Sequence, residues 1–268
     1  MLTFPNAKIN LGLHITAKRP DGYHEIESCL FPVPWKDVLE WVESDKKADI
    51  TVTGADFGGN TKENLVFKAY KLLQKDFQLP PITIHLHKII PSGAGLGGGS
   101  ADAAFMLNSL NSYFDLYLDE ELMEDYAAQL GSDCPFFIKN EPQIATGRGE
   151  ILTPIDIDLK GWYLTLVKPE FSVPTAKAYA GVQPQQPEHS LVEIIRQPVT
   201  SWKEILKNDF EESVFAQYPE IRRIKEQLYE LGAAYASMSG SGSSVFALSE
   251  KPLPLDKFRT YKIFSAQL

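Results

Sequence analysis

The chain has 268 residues, enough for one large domain or two modest ones with a substantial core. Hydrophobic residues make up 44% and charged residues 23%, a balance that excludes a disordered chain. The formal charge of −9 leaves no basic footprint for nucleic acid or an anionic membrane, although a single nucleotide can still be held by backbone N–H groups.

Cys29 and Cys134 lie far apart and form no C-x-x-C pair, so no disulfide framework is expected and a reducing compartment fits. No secretory signal is visible, and no apolar run approaches the ~18 residues that span a bilayer. The expectation is a cytoplasmic protein with neither membrane nor nucleic acid as partner. The sequence carries no signal of oligomeric state.

Residues 7–15 alternate, with Ile9, Leu11, Leu13 and Ile15 on one face and Lys8, Asn10, Gly12 and His14 on the other. The pattern predicts a half-buried strand with Lys8 and Asn10 side by side on the same surface. Pro20-Asp21-Gly22 makes a turn, a second strand ends near Trp41, and residues 49–53 predict a third. Residues 64–73 have helical spacing, and residues 82–90 return to a strand. Beyond a glycine loop, residues 101–110 predict a helix. Residues 119–130 predict another, with Asp119 as N-cap and Gly131 as its stop.

Strand-rich sequence returns at 162–167, and a polar, proline-broken stretch covers 183–190. Helices follow at 202–207 and 219–231, and a last strand at 243–248 leaves a Gly/Ser loop. Strands and helices mix without a regular β-α beat, which predicts an α+β chain. A turn-rich stretch before Pro154 divides it into residues 1–154 and 155–268.

The loop reads Pro91-Ser92-Gly93-Ala94-Gly95-Leu96-Gly97-Gly98-Gly99-Ser100, with five glycines between a strand and a helix. Glycines let the backbone approach a ligand, and the free N–H groups of the following helix favour an anion. A flexible linker is the bland alternative, but a linker would not be gripped between two regular elements. A Walker A loop fails because Ala101 follows Ser100 where Gly-Lys-Ser/Thr is required. Gly93, Gly95 and Gly98 match G-x-G-x-x-G, yet no acidic residue follows a second strand at the right distance.

Together with Pro5-Asn6-Ala7-Lys8-Ile9-Asn10-Leu11 and Ser239-Gly240-Ser241-Gly242-Ser243, this loop resembles the motif set of the GHMP kinase superfamily. Four strings resemble one branch of it: Ala-Lys-Ile-Asn-Leu (7–11), Arg-Pro-Asp-Gly-Tyr-His (19–24), Leu-Gly-Ser-Asp-Cys-Pro-Phe-Phe (130–137) and Gly-Arg-Gly-Glu-Ile-Leu (147–152). That branch phosphorylates the 2-hydroxyl of 4-diphosphocytidyl-2-C-methyl-D-erythritol in the non-mevalonate isoprenoid pathway. The resemblance implies a two-domain α+β GHMP kinase fold, ribosomal-protein-S5-like at the N-terminus and ferredoxin-like at the C-terminus. ATP and substrate are expected in a cleft between the domains.

The resemblance also implies ATP with Mg2+, held by residues 91–100, and a small-molecule acceptor carrying a cytidine diphosphate group. Asp133 matches the catalytic aspartate, Lys8 the lysine beside it, and Asn10 a substrate contact. Tyr23 and His24 match positions that hold the cytosine, and Tyr179 an aromatic on its other face. No counterpart is assigned to the acidic magnesium ligand of some superfamily members; Asp102, nearby, falls on the helix. A carboxylate within reach of a crowded tertiary alcohol can take its proton, while a lysine offsets developing negative charge.

Each residue has a plainer reading: Lys8 as a solvated strand residue, Asp133 as the cap of a short helix at Cys134-Pro135, His24 and Tyr179 as ordinary surface or core rings. His85 and His87 share a strand face with no third ligand nearby, which argues against zinc. Two other functions stay open: a GHMP kinase for homoserine or a mevalonate derivative, and a non-catalytic nucleotide sensor.

Overall fold

The computed structural model describes residues 1–54 and 61–268. In chain order the first half runs β1 (Leu2–Thr3), β2 (Asn6–Lys18), β3 (His24–Lys36), β4 (Val38–Glu43) and β5 (Asp49–Gly54). It continues with α1 (Leu65–Phe77), β6 (Ile82–Lys88), α2 (Gly98–Tyr113), α3 (Glu120–Ala128) and α4 (Phe136–Lys139). The second half runs β7 (Gln143–Thr146), β8 (Ile151–Pro154), β9 (Tyr163–Lys168), α5 (Thr175–Ala180), α6 (Leu191–Ile195) and α7 (Trp202–Ile205). It closes with α8 (Phe210–Gln217), α9 (Pro219–Glu230), β10 (Tyr235–Met238), β11 (Val245–Ser249) and β12 (Lys262–Gln267).

These residues divide into two compact units, each assembled from separate stretches of chain. Unit 1 comprises Met1–Lys8, Trp35–Ser92 and Gly97–Glu141; unit 2 comprises Ile9–Pro34, Gly93–Leu96 and Pro142–Leu268.

In unit 1 a four-stranded sheet has the order β1-β4-β6-β5. β4 runs antiparallel to β6 with Leu39 opposite Leu86 and Trp41 opposite Ile84, and β5 lies parallel to β6 with Ile50 opposite Ile84. That register puts one apolar row of each strand on the same face, where α1, α2 and α3 bury it. α1 starts because the Asn64 side chain accepts the Val66 N–H at 2.8 Å, and α3 because Asp119 accepts the Leu122 N–H at 3.0 Å.

In unit 2 an antiparallel sheet of order β10-β11-β9-β12 packs its inner face on α8 and α9. A second sheet of order β2-β3-β7-β8 is tied to the start of α8: Leu13 N–H donates to the Lys207 carbonyl, and Ile15 N–H to Asp209.

The alternation in β2 is real, but the half-buried expectation is not. Every residue from Asn6 to Ile15 is buried, the polar row included. The polar face of the strand is covered by other parts of the protein. At Gly12 in unit 2, an added Cβ would come within 2.6 Å of both Leu191 and Leu206.

Asn208, only 2% exposed, is the polar pin of unit 2. Its amide donates to the carbonyls of Met238 (2.7 Å) and Gly240 (2.9 Å), and its oxygen accepts the Phe210 N–H at 3.0 Å. Asn208→Ala strands all three buried groups and should lower unfolding free energy by about 2–4 kcal/mol in urea denaturation.

Candidate active site

Lys8 sits near the start of β2 with its side chain 5% exposed, and its Nζ lies 3.5 Å from Oδ2 of Asp133, whose side chain is 45% exposed. The buried ammonium and the accessible carboxylate thus meet within unit 1. Asp133 is carried on the turn between α3 and α4, where the Cys134 N–H donates to the Gly131 carbonyl at 3.1 Å. Phe136 and Phe137, both fully buried and packed edge-to-face at 4.9 Å, anchor that turn from below. Pro135 holds the N-cap position of α4 and no side chain caps it, so the capping alternative for Asp133 does not hold. Burial pushes the neighbouring Cys134 thiol up to about 11, which leaves no thiolate nucleophile at neutral pH.

The glycine loop leads directly into α2, which begins at Gly98 rather than at Ala101 as the periodicity implied. Its N-cap is Gly97 at φ +68, and no side chain caps it. The first-turn N–H groups therefore lack the side-chain partner that Asn64 and Asp119 give α1 and α3, an arrangement suited to an anion. A Cβ on Gly97 would lie 2.9 Å from the Phe137 ring and 3.1 Å from Cγ of Lys8.

Ala94 and Gly95, in the middle of the loop, lie in unit 2 with the Ser239–Ser243 segment. Ser239 Oγ donates to the Gly95 carbonyl at 2.8 Å, and Ser244 N–H to that of Ala94 at 3.2 Å. A Cβ on Gly95 would fall 2.0 Å from the Ser239 carbonyl oxygen, so the two backbones meet only because this position is glycine. Asn10 donates to Ser28 Oγ at 2.8 Å, and Ser28 donates on to the Gly12 carbonyl at 2.7 Å.

The three rings expected around a base also lie in unit 2. The Tyr23 N–H donates to Asp21 Oδ1 at 3.0 Å and, with Arg19 alongside, holds that carboxyl below its usual range. Tyr23 is 57% exposed, with the Arg148 guanidinium 5.0 Å from its ring centre. His24 and Tyr179 stack on each other at 4.8 Å and 21°, and Phe210 meets Tyr179 edge-on at 4.8 Å.

Sequence reasoning missed a buried ion cluster beneath the loop. Lys88 pairs with both Asp37 and Asp102, all three buried. A signal existed: Lys88 follows Ile82, Ile84 and Leu86 in the buried row of β6. His85 and His87, on the opposite face, each lie 2.9 Å from Thr53 Oγ1. No group of three or more His, Cys, Asp or Glu suited to a metal occurs among the described residues.

Gly97→Val places a β-branched side chain at positive φ and into Phe137 and Lys8. The folded variant should bind ATP at least ~10-fold more weakly by calorimetry, because the N–H groups at the start of α2 are displaced.

Two family models match this chain: the GHMP kinases N-terminal domain over residues 64–141 and the GHMP kinases C-terminal domain over residues 190–260. A protein of Bacteroides fragilis (strain YCH46) named 4-diphosphocytidyl-2-C-methyl-D-erythritol kinase is 58% identical over 251 residues, 92% of either chain. A crystal structure of 4-(cytidine 5'-diphospho)-2C-methyl-D-erythritol kinase superposes with a TM-score of 0.82 at 32% identity, covering 94% of this chain and 91% of the other. The Methanococcus jannaschii mevalonate kinase, 14% identical, shares the fold with a TM-score of 0.74 over 100% of this chain and 98% of its own. With its mixed helices and sheets, the chain belongs to the GHMP kinases, in the family of 4-diphosphocytidyl-2-C-methyl-D-erythritol kinases.

Proposed function

We propose that this chain transfers the terminal phosphoryl group of ATP to the 2-hydroxyl of 4-diphosphocytidyl-2-C-methyl-D-erythritol, in the cytoplasm. The observation that carries the reading is the 58% identity over 92% of the chain to a kinase of that name. The Lys8–Asp133 pair and the uncapped start of α2 support it from the side of geometry.

In this reading, the loop of residues 91–100 holds the ATP phosphates through the backbone N–H groups that follow Pro91, and Asp133 orients the tertiary hydroxyl and accepts its proton as the new P–O bond forms. Its exposure gives an acceptor access. Lys8, anchored in a buried strand, offsets negative charge on the transferring group at little cost in reorganisation. If the transition state is loose, the proton leaves late and alignment by Asp133 matters more than its basicity. Asp102 is taken by Lys88, and the described residues offer no carboxylate cage. Magnesium, when bound, would be held mainly by the nucleotide phosphates and water, with at most one or two carboxylates of the chain beside it.

Base recognition falls to Tyr23, His24 and Tyr179, with Asn10 as a further substrate contact. Tyr179 rests on His24, so a cytosine taken between Tyr23 and Tyr179 must replace that stack. The chain passes from the N-terminal to the C-terminal kinase domain near residue 154.

Asp133→Asn should lower kcat by at least ~100-fold with little change in ATP affinity, and Lys8→Ala should behave alike. The double variant should lose much less than the product of the two, since the pair acts as a unit. Near-normal turnover of folded Asp133→Asn would remove it from the chemistry.

An ADP-release panel tests the acceptor: the cytidine-bearing substrate should turn over, while homoserine and mevalonate should not, and CDP should compete with the acceptor. Tyr179→Ala should raise the acceptor KM roughly tenfold, given ~1–3 kcal/mol per stacked base. Comparable turnover of homoserine or mevalonate without inhibition by CDP would overturn the substrate.

A further inference from the structure

Unit 1 buries a charged cluster that this chemistry does not use. Lys88, the last residue of β6, is 4% exposed, Asp37 is fully buried and Asp102 is 2% exposed. Lys88 Nζ donates to Asp37 Oδ2, and to Asp102 Oδ2 at 2.6 Å. Asp37 Oδ1 accepts the N–H groups of Ile89 and Ile90, the two residues that lead into Pro91. Asp102 lies in the first turns of α2, beyond the loop. The cluster therefore grips the chain on both sides of the glycine loop. An added Cβ on Gly98 would lie 2.9 Å from Ile90 and 3.3 Å from Lys88 Nζ, so the ammonium sits against the first turn of α2.

The charges do not balance. One ammonium faces two carboxylates, and Asp102 Oδ1 has no hydrogen-bond partner among the described residues. The buried residues of α1, α3 and α4, which pack around α2, are otherwise apolar apart from Tyr70, whose hydroxyl donates to the Pro80 carbonyl at 3.0 Å. At the start of α2 the buried Lys8, paired with Asp133, lies beside Gly97, and the Cys134 thiol faces Ser100. An uncompensated buried charge is costly, and a polyphosphate at the start of α2 would add repulsion to it.

We propose that Asp37, Lys88 and Asp102 are positioning residues that set the spacing of the loop's two ends, and that Asp102 takes up a proton when nucleotide phosphates bind there. The proton comes from solvent and sits on Oδ1, the oxygen without a partner. This rests on the reading that the loop binds ATP. Burial pushes the Asp102 carboxyl up to about 8, with Lys88 opposing and Asp37 adding to the shift. Burial works against the charge of Lys88, but Asp102 and Asp37 outweigh it and hold the ammonium above its ordinary range. Lys88 thus keeps its positive charge, and Asp102, with the oxygen that has no partner, is the carboxyl whose charge burial opposes. A bound anion raises the Asp102 carboxyl further, so uptake should be largest near pH 8. It should vanish where Asp102 is already protonated, and nucleotide affinity should fall as pH rises through this range.

Calorimetry of ADP binding with magnesium at pH 8, in buffers of different ionisation enthalpy, reads the proton directly. Wild type should take up a few tenths of a proton per ADP, approaching ~0.5, and less at pH 6.5. Asp102→Asn, which fixes the neutral form, should take up none and show a flat affinity between pH 7 and 9. A merely structural Asp102 would change stability without changing the proton count. Asp37→Ala should raise the ATP KM at least ~10-fold with a smaller change in the acceptor KM; if it does not fold, the proton count of Asp102→Asn still decides. Buffer-independent ADP binding by wild type, or unchanged uptake in Asp102→Asn, would overturn the inference. Failure of wild type to bind ADP at all would overturn the nucleotide-site reading itself.

Discussion

A positive charge inside a protein is costly unless an anion or carbonyl oxygens offset it, and unit 1 gives two buried lysines carboxylate partners. Lys8 and Lys88 both project from strands and are both buried, at 4% exposure each. Lys8 is met by Asp133 on a turn that Phe136 and Phe137 anchor, and Lys88 ties Asp37 to the start of α2. The two answers differ in kind. Asp133 stays open to solvent and so to a reacting partner, while Asp37 and Asp102 are sealed. The same electrostatic requirement thus builds one pair open to solvent and one sealed cluster from the same residue types.

An acidic chain can still handle a polyanion. A net charge of −9 is no obstacle when the contacts are backbone N–H groups on a helix end left without a side-chain cap. The contrast within unit 1 is direct: Asn64 and Asp119 close their helices, and Gly97 leaves its own open. Under the proposed function, binding power at this helix end would come from what the sequence withholds.

Local signals in the sequence were legible where one element determines its own shape. The alternation of β2, the cap at Asp119 and the glycine loop follow from residues close in sequence, whereas α3 stops at Ala128 with Gln129 as its C-cap, two residues before the expected stop at Gly131. Covering of the polar row of β2 was not legible, because contacts such as those of Leu191 and Leu206 on Gly12 come from far along the chain. The short elements β7, β8 and α5 have too few residues to show a period, and β12 is held by its pairing with β9. The charged cluster was half legible: Lys88 stands in a buried row, but nothing near it names Asp37 as a partner. The stacking of Tyr179 on His24 depends on a fold that brings residues 155 positions apart together, which neither ring announces.

The interleaving of the two units has a consequence for synthesis on the ribosome. Unit 1 has all its residues only once Glu141 has emerged, and by then Ile9–Pro34 and Gly93–Leu96 are already out while their own unit still lacks everything from Pro142 onward. At ~5–20 residues per second, these stretches wait several seconds or more for the partners that bury them. They include the buried run of β2 and the middle of the glycine loop. A nascent chain paused in that interval would expose the apolar row Ile9, Leu11, Leu13 and Ile15, an adhesive strand until the C-terminal half arrives.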